Sequence, residues 1–291
     1  MKKIILPCFL LLSMLACSQH DSSDSANPGQ SLFKAISSGK SAVVKVAIMK
    51  GANLNDRCTI KGDVNECFIK DYKNECLDYE TEYYTKEKVM SEFGEESLTP
   101  LYLAAKLRKA DIVGMLLDGG ADANLPSNVC RIICEGECHP YMEEASAYSV
   151  VFYAHEPDDA TLQTALAFAK KGVFSELYNI NDLVTNEKIS DQLLSDFIKQ
   201  MMEVGGLNLR TINNVDMVDE KALSTLDQAV KAKKTKTAAT LKAAGAQGVK
   251  SFEPEGTCEE LYGESSSGPI YKVYYEDGSE GKVEACDFEG T

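Results

Sequence analysis

Positive charge is scarce in this sequence. Its 291 residues hold 30 Lys and Arg against 45 Asp and Glu, a formal charge of −15 with a pI near 4.7. Binding a phosphate backbone takes a concentrated basic surface, so this balance argues against nucleic acid as a partner. Histidine is scarcer still, with His20, His139 and His155 the three in the chain. No HExxH zinc motif and no Gly-rich phosphate loop occurs. Gly263-Glu264-Ser265-Ser266-Ser267-Gly268 fails the GxSxG nucleophile pattern, and no strand pattern leads into it. The expectation is a protein that is not an enzyme, with no catalytic, cofactor-binding or metal residues. Beyond the first twenty residues, no apolar stretch approaches the roughly 18 residues needed to span a bilayer.

What is present begins with an ordinary globular share of apolar residues, 44%, enough for a real core. The N-terminus reads Met1-Lys2-Lys3, then thirteen mostly apolar residues from Ile4 to Ala16, then Cys17. That run suits a secretory signal and is too short to cross a membrane. Met14-Leu15-Ala16-Cys17 resembles the bacterial lipobox, with Met where Leu is usual. The resemblance implies that residues 1–16 are a cleaved leader and that Cys17 takes a lipid. Ser18 rather than Asp follows, which by resemblance to lipoprotein sorting implies the periplasmic face of the outer membrane. Membrane contact is then expected through the lipid anchor only. Residues 17–30 are polar, Ser-containing and almost free of apolar side chains, as a flexible tether would be. Ten cysteines are present. Setting aside Cys8 and Cys17 leaves Cys58, Cys67, Cys76, Cys130, Cys134, Cys138, Cys258 and Cys286 as disulfide candidates in an oxidising compartment.

Internal repeats organise the rest. The clearest unit runs Thr99-Pro100-Leu101-Tyr102-Leu103-Ala104-Ala105, then Ile112-Val113, Leu116-Leu117 and Gly120-Ala121-Asp122-Ala123-Asn124. Thr99 suits a helix cap, Pro100 a first turn, and Gly120 a left-handed helix end. Val43, Val44, Ala47 and Ile48 precede Gly51 at the same offsets, as do Phe197, Ile198, Met201 and Met202 before Gly205. Leu226 and Ala229 occupy the matching places ahead of Gly245, and a weaker copy runs from Val151 to Gly172. Gly172 and Gly205 are 33 residues apart. This pattern closely resembles the ankyrin repeat, whose period is about 33 residues. The resemblance implies a mainly α fold: an ankyrin-repeat solenoid of about five units, some degenerate, over residues 31–248. Surplus residues at 57–97 and 125–147 are expected to loop out as long fingers carrying disulfides. Residues 249–291, with Tyr271–Tyr275 and Lys282–Cys286 strand-like around a Gly-containing loop, are expected to form a small C-terminal β-hairpin cap.

Six cysteines in the two fingers suggest three disulfides tying them together, while Cys258 and Cys286 most simply pair with each other. Cys130, Cys134, Cys138 and His139 offer zinc as a rival, although the spacing lacks a CxxC knuckle. The first finger is acidic and aromatic through Asp78, Tyr79, Glu80, Glu82, Tyr83, Tyr84 and Glu87, with Glu92, Glu95 and Glu96 beyond. Tyrosines give rigid contact area and carboxylates steer a basic partner, so these residues are the expected protein-binding site. Taken together, leader, repeats, finger insertions and acidity resemble the ankyrin-repeat lipoproteins that serve as immunity proteins against type VI secretion lipase effectors. That resemblance implies a secreted lipase with a basic surface as partner. A periplasmic ankyrin scaffold supporting an oxidative-stress enzyme such as a catalase is the alternative.

Overall fold

The computed structural model describes residues 28–61, 64–65, 85–135, 137–153, 157–174, 180–207, 215–218, 221–262, 266–284 and 287–288. Among these, ten helices follow one another as five consecutive pairs. The pairs are α1 (Pro28–Ser37) with α2 (Ser41–Met49), α4 (Pro100–Lys106) with α5 (Ala110–Asp118), α6 (Val150–Tyr153) with α7 (Asp159–Ala169), α8 (Ile180–Thr185) with α9 (Asp191–Glu203), and α10 (Thr225–Lys231) with α11 (Thr235–Ala243). A further helix, α3 (Lys86–Phe93), lies in the first insertion, and α12 (Cys258–Tyr262) lies near the C-terminus.

Local chemistry sets these boundaries. The Thr99 hydroxyl accepts from the Tyr102 amide at 3.1 Å, and Pro100 occupies the first turn of α4, where no amide hydrogen is needed. Asp158 caps α7 by accepting from the Thr161 amide at 2.9 Å, and Ser224 with Asp227 forms a reciprocal capping box at α10. Each second helix ends the same way. Gly51, Gly120, Gly172, Gly205 and Gly245 hold φ between +71° and +95°, which a β-carbon would strain. The next amide then returns to the carbonyl five residues back, as from Ala121 to Leu116 and from Ala246 to Leu241, both at 2.9 Å.

Neither helix of a pair can bury its apolar face alone, so the pairs stack. The second helices form a continuous row, α2–α5–α7–α9–α11, and among the first helices α1 packs on α4, α4 on α6, and α8 on α10. One core runs through the stack, with Leu32, Leu103, Ile112, Phe168 and Phe197 all at 0% exposure. Polar staples join successive turns. Asn55 Oδ1 accepts from the Asp122 amide at 2.8 Å, and Asp191 accepts from the amides of Lys236 and Thr237, both at 2.8 Å. Burial pushes the Asp191 carboxyl up, but those donors more than offset it and hold it below the ordinary value.

The mainly α expectation with one small β cap is corrected by the sheets, which make the fold mixed α/β. Strands β1 (Cys58–Lys61), β2 (Val64–Asn65), β3 (Glu95–Leu98), β4 (Ser127–Glu135) and β5 (Glu137–Ala145) form a five-stranded antiparallel sheet ordered β2-β1-β3-β4-β5. The ends of the first insertion are therefore not looped out. They pair from Cys58 with Leu98 to Lys61 with Glu95, and the second insertion is one long hairpin from Ser127 with Ala145 to Glu135 with Glu137. A second hairpin, β6 (Val215–Val218) with β7 (Lys221–Ser224), precedes α10. The C-terminal part is more than a hairpin. Strands β8 (Val249–Thr257), β10 (Pro269–Tyr275) and β11 (Glu280–Glu284) make a three-stranded sheet, and β9 (Ser266–Ser267) pairs with β12 (Asp287–Phe288). Val273 and Val283 of that sheet share a small core with Val215 and Ala222 of the β6–β7 hairpin. Helical spacing stands out in the sequence, whereas these strands are short or interrupted by charges and cysteines, which hides a period of two.

Candidate protein-binding surface

The five-stranded sheet grows directly out of the repeats. At its root Cys58, Ile60, Leu98, Val129 and Ala145 are part of the main core, so the helix stack holds the sheet rigidly. The Thr99 amide donates to the Ser127 hydroxyl at 2.9 Å, joining the start of β4 to the cap of α4. Helix α3, capped by Thr85 accepting from the Lys88 amide at 3.4 Å, covers part of the sheet. There Val89 at 0% exposure packs with Cys130 and Phe93.

Farther from the root the hairpin turns apolar side chains to solvent: Ile132 is 37% exposed, Ile133 46%, Tyr141 36% and Met142 37%. Cross-strand register sets Cys130 opposite Met142 and Arg131 opposite Tyr141, so the exposed residues lie on both faces. Between root and tip, Arg131 Nε meets Glu143 Oε2 at 2.5 Å. The Tyr141 phenol is raised, first by partial burial and then by the nearby Glu143 carboxylate. Strand β5 is the last in the sheet, but Pro140 interrupts its row of donors and Glu143 and Glu144 charge it. These features guard the edge against strand addition. A partner would meet the side chains instead.

The sequence-derived candidates fare unevenly. Asp78, Tyr79, Glu80, Glu82, Tyr83 and Tyr84 lie outside the described residues, and Glu87 falls within α3 with its side chain outside them. Cys17, Cys67, Cys76 and Cys286 also lie outside. Cys134 and Cys138 are strand partners beside the β4–β5 turn, their side chains outside the described set. Cys58, Cys130 and Cys258 are buried and disulfide-bonded, so Cys130 offers no free thiolate to a metal. Glu96 needs correction. It is buried at 0% exposure and its Oε1 accepts from the Cys130 amide at 3.0 Å, so it ties β3 to β4 and steers no partner. Glu92 and Glu95 are exposed.

Ile132, Ile133, Tyr141 and Met142 were not among the sequence candidates. Their signal is the β-branched stretch Val129–Ile133, which reads as a strand once the cysteines are set aside. Among the described residues no group of three metal-ligating side chains gathers, and no helix is long and apolar enough to cross a membrane. Two concavities, between α9 and α11 and between α5 and α7, are open furrows of the outer row. No curated protein matches the chain. Residues 97–128 match the family model described as Ankyrin repeat, spanning the second half of β3, both helices of the second pair and the start of β4. Such repeats are typically non-enzymatic modules that contact proteins on an extended surface. The match, set on five stacked helix pairs, supports an ankyrin-repeat protein with a role in protein–protein interaction.

Proposed function

We propose that this chain is a periplasmic lipoprotein, anchored at Cys17 to the outer membrane, that binds and neutralises a type VI secretion phospholipase. The observation that carries this reading is an ankyrin repeat from which a rigid sheet presents Ile132, Ile133, Tyr141 and Met142 to solvent. The leader and lipobox resemblance support the location, and the net charge of −15 suits a partner with a basic surface. A tether at the membrane raises the inhibitor's effective concentration where a lipase attacks. In this reading the finger cysteines pair among themselves, stiffening the surface before it binds. Charge reversal at Glu80, Glu82 and Glu87 is expected to weaken toxin binding, chiefly through slower association at low salt, with no change in helix content. Wild-type association and wild-type protection of cells in the triple variant would remove the acidic finger from the proposal.

A further inference from the structure

The first helix pair differs from the others in carrying lysines with no acidic residue among them, and in what it shows to solvent. Residues 28–55 contain Lys34, Lys40, Lys45 and Lys50 and no Asp or Glu, in a chain whose net charge is −15. All four lysines are exposed. The outer face of α2 is aliphatic, with Val43 46% exposed, Val46 48% and Met49 78%. Spacing of three residues sets these on one stripe. Val44, Ala47 and Ile48 occupy the opposite side and pack into the core. The other second helices turn polar groups outward: Asp111 and Asp118 on α5, Gln163 on α7, Lys199 and Glu203 on α9. A surface helix that is apolar on nearly every side lacks a partner for one of them.

We infer that α2 is a membrane-contact helix, which lays Val43, Val46 and Met49 into the headgroup boundary of an anionic bilayer while Lys40, Lys45 and Lys50 reach its phosphates. Aliphatic side chains flanked by lysines are the composition that binds in the plane of such a surface. A second copy of the chain fits poorly, because two such faces would bring like charges together. The place in the chain also suits a bilayer. Cys17 lies eleven residues before Pro28, so a lipid on it would hold the first pair within about 40 Å of the surface. The contact goes beyond the lipid anchor and orients the stack with its first pair toward the membrane.

The test is co-sedimentation with vesicles of the chain from Ser18 onward, which keeps every described residue and lacks any lipid. Wild type is expected to bind phosphatidylglycerol vesicles at low salt and to leave phosphatidylcholine vesicles in solution. K40E/K45E/K50E is expected to bind on the order of a hundredfold more weakly, and V43S/V46S/M49S on the order of tenfold. M49S alone, at the most exposed position, serves if the triple variant loses its helical spectrum, and a threefold loss is then expected. No binding by wild type, or equal binding by the variants, overturns the inference. So does a dimer in solution that V43S/V46S/M49S converts to a monomer. Binding to the lipase in solution, measured without lipid, separates the two proposals, since it reports on the immunity reading alone.

Discussion

Replacing Phe168 by Ala is expected to lower the unfolding free energy by about 3–5 kcal/mol. Phe168 lies in α7, the middle helix of the continuous outer row, and is 0% exposed. Its ring meets Tyr148 edge to face, with centroids 5.7 Å apart at 86°. Truncation removes that contact and leaves a cavity which the helices on either side, α5 and α9, are too constrained to fill. In a stack where each unit contacts only its neighbours, damage at the centre uncouples the two halves. Denaturant unfolding followed by circular dichroism measures the loss, and a broadened transition is expected beside the lower midpoint. Val230→Ala, at a site 64% exposed, serves as the comparison and is expected within about 0.5 kcal/mol of wild type. A Phe168→Ala protein as stable as the Val230 variant would show that the stack does not depend on its central layer.

Ile132→Asp with Ile133→Asp is expected to weaken binding to the proposed lipase partner by on the order of a thousandfold, since two central apolar anchors carry about 2 kcal/mol each. Both positions are partly exposed on the described strand β4, beyond the region anchored in the repeat core. The melting temperature is therefore expected to stay within a few degrees of wild type, because no core side chain is touched. Leu261→Asp changes an equally exposed apolar residue, 49% open, on α12, outside the five-stranded sheet. It is expected to bind as wild type does. Calorimetric titration with the lipase reads the difference. Equal affinity for the double variant would place the contact elsewhere on the stack.

The helix pairs were legible in the sequence because their signals are local. Thr99-Pro100, the paired apolar residues one turn apart and the glycine that ends each second helix recur at fixed offsets, and each does its structural work within about ten residues. The sheet was not legible for the opposite reason. Cys58 pairs with Leu98 across an insertion, so the evidence for strand β1 lies forty residues away. Glu96 shows the same limit at one side chain. In sequence it is one more carboxylate in an acidic segment, and only the arrival of β4 buries it against the Cys130 amide. Ile132 and Ile133 fall in the segment expected to loop out, and only the pairing of β4 with β5 sets them on a strand beyond the root. The lysine-only first pair was visible all along, but its meaning depends on which side of α2 the core takes.

Phospholipid hydrolysis by a purified type VI lipase effector from the same cell, titrated with this chain, tests the central claim most directly. Neutralisation by binding requires that hydrolysis fall in proportion to added chain and stop near stoichiometric amounts. The chain alone should release no fatty acid. Hydrolysis that continues undiminished at excess chain, or lipid turnover by the chain itself, would contradict the account.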